Sequence, residues 1–125
     1  MGSNAESMLF FGVCLDDEGE LPWGDEDDSD VWLWTKLGFD NNLEDDPYKF
    51  LKKLDIRIDI HSCWKDPGYH ISIASCYIQN SWEKPEEIDP NKLSVSPLKK
   101  QQLKDQLKRL GIDKEPRWYM TSFWG

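Results

Sequence analysis

Residues 55–63 read DIRIDIHSC, and residues 69–79 read YHISIASCYIQ. In the first, Ile56, Ile58 and Ile60 alternate with Arg57, Asp59 and His61. Successive strand side chains point to opposite faces, so this alternation predicts a half-buried strand. The second stretch is β-rich, with Ile71 and Ile73 on one face. Between them lies Asp66-Pro67-Gly68. Pro presets φ for a turn and Gly permits a positive φ. The two runs therefore predict a β-hairpin, and with it an antiparallel sheet.

The elements on either side complete the pattern. Leu9 to Leu15 (LFFGVCL) is a short apolar run ended by charge, which suits a buried strand. Ser29 or Asp30 could cap a short helix over Val31 to Leu37, closed by Gly38. Asp46 before Pro47 is a helix start, and Tyr48, Phe50, Leu51 and Leu54 give a short amphipathic helix. Ser96-Pro97 opens a second helix start, with Leu103, Leu107 and Leu110 as one apolar stripe and Gly111 beyond its end. Residues 116–124 (PRWYMTSFW) are aromatic and predict a last strand. The order β-α-β-β-α-β predicts an α+β domain over residues 8–125. Its antiparallel sheet would carry helices on one face, in a ferredoxin-like split βαβ arrangement. Residues 1–7 (MGSNAES) read as an added leader.

At 125 residues the chain can bury roughly two-thirds of its unfolded surface without disulfide or metal. No apolar run approaches the roughly 20 residues of a membrane span. Cys14, Cys63 and Cys76 are odd in number, and two lie in strand-like runs, which argues for a reduced, cytoplasmic setting. The net charge of -9 is uneven. Residues 1–62 carry a net -11 and residues 63–125 a net +2. The acidic front would repel nucleic acid and anionic membrane.

Most of that acidity lies in one loop-like stretch. Asp16, Asp17, Glu18, Glu20, Asp25, Glu26, Asp27, Asp28 and Asp30 make nine carboxylates in fifteen residues. Gly19, Pro22 and Gly24 break regular structure there. Such crowding of like charge costs free energy that a basic partner would relieve. Trp23 is the expected anchor, since exposed Trp concentrates in interfaces. The plainer alternative is a solvated surface, with Trp32 and Trp34 as core at a helix end. The stretch does not fit an EF-hand: counting from Asp25, the sixth residue is Asp30 and the twelfth Lys36. No feature raises these carboxyl pKa values as acid–base catalysis would need.

His61, Cys63 and His70 could converge across the hairpin as metal ligands or a nucleophile pair. With the turn at Asp66 to Gly68, Cys63 would oppose His70. Cys76 would lie roughly 20 Å along the strand, at about 3.3 Å per residue, too far to join them. Ordinary sheet-face side chains are the better reading, and no metal or cofactor is expected. The lysines of the last helix alternate with Asp105 and Gln and lack interleaved aromatics, so they read as a solvated face rather than a nucleic-acid patch.

Pro85-Glu86-Glu87-Ile88, Asp89-Pro90, Leu93, Leu110-Gly111-Ile112, Pro116-Arg117-Trp118-Tyr119 and Ser122-Phe123-Trp124-Gly125 together resemble small bacterial immunity proteins of polymorphic or contact-dependent toxin systems. The resemblance implies a non-enzymatic inhibitor of one cognate protein toxin. Many such toxins are basic nucleases, which would suit an acidic face. Two alternatives remain: a DNA mimic or phage regulator that occupies a nucleic-acid-binding protein, and a small metal enzyme using His61, Cys63 and His70.

Overall fold

The alternating isoleucines form the hairpin. In the computed structural model, which describes residues 5–15, 22–23, 28–43, 45–62, 68–81, 85 and 87–124, β2 (Ile56–Ser62) pairs antiparallel with β3 (Gly68–Ser81). β1 (Ala5–Cys14) lies on the other side of β3, and β4 (Arg117–Trp124) beyond β1, giving the order β2-β3-β1-β4. Every neighbouring pair is antiparallel. β1 and β2 therefore run parallel with β3 between them, and β3 and β4 run parallel with β1 between them. The result is α+β: a four-stranded antiparallel sheet with three helices. β1 starts at Ala5, so part of the leader-like beginning is paired into the sheet. Backbone ladders need no particular side chain, which is why composition gave no sign of it.

The helices are α1 (Ser29–Lys36), α2 (Pro47–Lys53) and α3 (Pro97–Arg109). Two begin as local chemistry dictates. Asp46 Oδ1 accepts from Tyr48 N at 2.9 Å, and Ser96 Oγ accepts from Lys99 N at 3.2 Å. α1 differs from expectation: Ser29 and Asp30 are inside the helix, and Asp28 stands at its N-cap without a side-chain cap bond. A 3-10 turn at Pro90–Leu93 precedes α3, with Asp89 accepting from Asn91 N.

Alternation divides the sheet cleanly. Phe11, Val13, Leu15, Ile56, Ile58, Ile71 and Ile73 face one core, which Leu33, Leu51, Leu103, Leu107 and Leu110 of the helical segments complete. Ile60, expected in the core, is only half-buried. Full burial of an aliphatic side chain contributes about 1.5–3 kcal/mol, so the Leu103 and Leu107 pair alone fixes α3 firmly. The same helix buries a polar residue: Gln106 Nε2 donates to Leu54 O at 3.0 Å, tying α3 to the end of α2.

The opposite face holds Phe10, His70 and Ser72, each at most 1 % exposed. The outer strands β2 and β4 approach within 8 Å, Cα to Cα. The sheet thus coils back toward itself, beyond the twist of an ordinary open sheet, and closes over this face. Phe10 stacks on His70 at 3.9 Å between ring centroids and lies 5.7 Å from Tyr119.

A bulge marks the middle of β3. Gly12 pairs with Ser72 and Phe10 with Tyr77, so Ile73 to Cys76 stand opposite Phe11 alone. Extra residues on one strand bend it and sharpen its twist. The pairing of β2 with β3 stops at Ile73, where the bulge begins.

Candidate functional site

Of the ten carboxylate and Trp positions in the acidic stretch, Asp16, Asp17, Glu18, Glu20, Asp25, Glu26 and Asp27 lie outside the described residues. Trp23, Asp28 and Asp30 lie within them. Trp23 corrects an expectation. It is 8 % exposed, not a free anchor. Its indole lies 5.3 Å from Trp32 and 4.8 Å edge-on to Tyr69, centroid to centroid. The physical reason is the core gap between α1 and the start of β3, which an aromatic ring fills at a large gain in buried area. Trp32 is buried with it, and Trp34 is half-buried against Tyr48 and Phe39. The tryptophans are core; the carboxylates around them are a separate matter.

Asp28 is exposed, and its carbonyl accepts the first helical bond from Trp32 N at 3.0 Å. Asp30 sits in the first turn of α1, where a carboxylate suits the helix dipole. Even so, its carboxyl is pushed above its usual value. Burial is the main cause; Asp28 and Asp59 add to it, and Arg57 opposes it. Arg57 is engaged elsewhere: its Nη2 bonds Asp59 Oδ2 at 2.6 Å while its guanidinium lies 3.8 Å over the Tyr77 ring. Among the described residues, Asp28 and Asp59 thus add to the effect of burial on Asp30, and Arg57 opposes it.

The hairpin constellation is rearranged. His70 faces Asp59 across the ladder, not Cys63, because Ser62 already pairs with Gly68. Cys63 and the His61 side chain lie outside the described residues. Cys76 belongs to the helix-side core, on the other side of the sheet from His70, where burial pushes its thiol above the usual value. Among the described residues no three His, Cys, Asp or Glu side chains converge.

A polar cluster that the sequence did not suggest sits at the β3 bulge. Asp55 closes the turn between α2 and β2 at φ +54°, a left-handed conformation that short polar side chains tolerate better than most. Its Oδ1 accepts from Ser75 N at 2.8 Å, and its Oδ2 accepts from Ser75 Oγ and from Lys99 Nζ. Lys99 Nζ also donates to Ser75 Oγ at 2.8 Å. Lys99 thus donates hydrogen bonds to both partners and is not placed to take a proton from Ser75. The cluster ties α3 to the bulge across 24 residues of sequence and to the turn before β2 across 44. Asp55 O accepts from Ala74 N at 2.9 Å, which completes the tie.

Asp55 and Asp30 titrate in opposite senses. Burial pushes the Asp55 carboxyl up, but bonds from Lys99 and Ser75 outweigh it and hold the group below its usual value. A depressed folded-state pKa contributes stability above the unfolded value of about 3.9, lost as pH falls through the folded value. Asp55→Asn should therefore destabilise at neutral pH and converge on wild type in acid. Asp30 is raised, so its ionised form costs stability at neutral pH, and the cost disappears below about pH 3.9. Asp30→Asn should stabilise slightly at pH 7 and converge on wild type from the other side. Urea midpoints between pH 3 and 7 read both.

Beside this cluster an open groove of about 760 Å³ runs between β3 from Ser75 of the bulge onward and the segment entering α3. Ser75 to Gln79 form one wall; Lys92, Ser94, Val95, Ser96 and Lys99 form the other. Its volume lies within the roughly 300–1,000 Å³ of ligand sites.

No family model, curated protein or solved structure matches this chain. Among the described residues no helix is long and apolar enough to cross a membrane.

Proposed function

We propose that this is a non-enzymatic, immunity-type inhibitor that binds and neutralises a cognate basic protein toxin such as a nuclease. It would act in the cytoplasm without cofactor. The observation that carries the reading is the anchoring of the acidic stretch. Trp23 and Trp32 meet in the core at 5.3 Å, and the chain between them carries Asp25, Glu26, Asp27, Asp28 and Asp30. Five carboxylates thus lie, in sequence, between two buried tryptophans. Among the described residues, Asp28 and Asp59 act on Asp30 in the same sense as its burial, against Arg57. A partner's Lys and Arg would supply the missing compensation. On this reading the buried Trp23 serves as support, and recognition falls to Asp16, Asp17, Glu18, Glu20, Asp25, Glu26, Asp27, Asp28 and Asp30.

Complementary charge acts mainly on the association rate. The test uses the product of the adjacent gene, purified with this protein as a complex and then separated. Replacing Asp25, Asp27 and Asp28 by Asn should slow association and flatten its dependence on salt. Equal association rates in wild type and variant would place the interface elsewhere. A partner that is a nucleic-acid-binding regulator rather than a toxin would favour mimicry of DNA.

A further inference from the structure

We propose that β4 is an interaction surface for a second copy of this chain, and that its Met120–Trp124 half pairs antiparallel with the same segment across a two-fold axis. This goes beyond the reading above and uses none of its residues. β4 ends the strand order, and among the described residues its ladder partner is β1 alone. Edge strands are ordinarily blunted by charge, proline, bulges or cover, because their free backbone groups are a template for another strand. β2, the other edge, carries Arg57 and Asp59. β4 has neither charge nor proline from Trp118 to Trp124, and its ladder with β1 runs without a bulge. Met120 is 81 % exposed. It stands two residues beyond Trp118, which packs on the helix-side core, and so lies on the same face. Met120 pairs with Leu9, and Leu9 with Ile78, both half-buried. An apolar row thus crosses three strands and ends in an exposed methionine at the edge.

Symmetry and charge both select a second copy as the occupant. β2 comes within 8 Å of β4, but its ladder ends at Ile56, which through Ile73 stands level with Phe11. Met120 to Trp124 pair with Leu9 to Ala5, past that level. An antiparallel pair centred on Ser122 is self-complementary: Ser122 meets itself, and positions 120 and 121 stand opposite 124 and 123. In a chain of net charge -9, two copies can meet only where their acidic regions stay apart. Trp23, inside the acidic stretch, lies 4.8 Å from Tyr69, whose carbonyl accepts from Leu15 N. Leu15 is six residues from Leu9 and ten from Ala5, the partners of Met120 and Trp124. At about 3.3 Å per residue the contact begins roughly 20 Å from the Leu15 end of the sheet, more than twice the Debye length of about 8 Å. A two-fold axis at Ser122 sends the two Leu15 ends, and Trp23 with them, in opposite directions.

Sedimentation velocity of the full chain over a range of concentrations reads the association. Wild type should reach twice the monomer mass, to a similar extent at low and at high salt. Ser122→Lys sets two ammonium groups against each other at the axis and should weaken the dimer by about tenfold or more, since like charges directly opposite destabilise a strand pair. Met120→Lys should act in the same direction, and Ser122→Thr, which keeps a β-favouring uncharged residue, should leave the dimer intact. Leu98→Lys changes an exposed apolar residue of α3 and should alter the dimer by less than about twofold. Met120 and Ser122 are both exposed, and unchanged circular dichroism melts would show that the fold is kept. The proposal is overturned by a wild type that stays monomeric up to about 1 mM. Equal weakening by Leu98→Lys and Ser122→Lys would also overturn it, as diffuse apolar association. So would species larger than a dimer, which need a head-to-tail contact. An association that strengthens steeply with salt would put the acidic fronts at the contact, and would overturn it as well.

Discussion

Trp23→Ala should destabilise the protein by about 3–5 kcal/mol, the range for removing a buried Trp or Phe. Trp23 comes from a stretch with no other sign of belonging to the core, yet its indole fills the space between Trp32 and Tyr69. The cavity would be bounded by two large rings that cannot collapse into it without moving α1 or the start of β3. Trp23→Phe keeps part of that contact and should cost well under half as much. Urea unfolding of the three proteins checks this. A change of less than about 1 kcal/mol for Trp23→Ala, the size of an ordinary surface substitution or little more, would mean that the indole is not packed as described. The functional corollary is separate. Losing this tether should weaken partner association even at temperatures where Trp23→Ala remains folded.

Gly12→Ala should cost about 3 kcal/mol or more, for a different reason. A Cβ at position 12 would stand 1.9 Å from Ile71 O and 2.7 Å from Ser72 Cα. Both are backbone atoms of the neighbouring strand, so no side chain can rotate aside. β1 and β3 would have to separate just where β3 begins its bulge. Gly111→Ala provides the contrast. Gly111 has open space around it but a φ of +75°, so its penalty is conformational alone, about 1–2 kcal/mol. Thermal melts should rank Gly12→Ala well below Gly111→Ala. The reverse order would show that β1 and β3 do not approach this closely.

The hairpin was legible because Ile56, Ile58 and Ile60 record the strand period directly. The starts of α2 and α3 were legible because Asp46-Pro47 and Ser96-Pro97 act within one turn of themselves. What escaped the sequence depends on distance along the chain. The register that sets His70 against Asp59 follows from the pairing of Ser62 with Gly68. A shift of one residue turns every side chain to the other face. Asp55, Ser75 and Lys99 are separated by 20 and 44 positions, and no local pattern announces their meeting. Trp23 was read as an anchor because its neighbours in sequence are acidic; its neighbours in space are aromatic. The groove has no sequence signal at all, since it arises between β3 beyond the Ile56 end of β2 and the end of the 3-10 turn. For the acidic stretch, composition identified the charge, and packing placed Trp23 in the core.

The most direct test of whether the acidic stretch is spared for a partner needs no partner. Wild type and the Asp25→Asn, Asp27→Asn, Asp28→Asn triple variant are unfolded in urea at low and at high salt. If the carboxylates are held together against their own repulsion, the variant should equal or exceed wild type in stability at low salt. Added salt should then stabilise wild type more than the variant and close the gap, because it screens the repulsion. A variant less stable than wild type by several kcal/mol at low salt would contradict this. The carboxylates would then be paired with this protein's own lysines and arginines, and the acidic stretch would serve the fold rather than a partner.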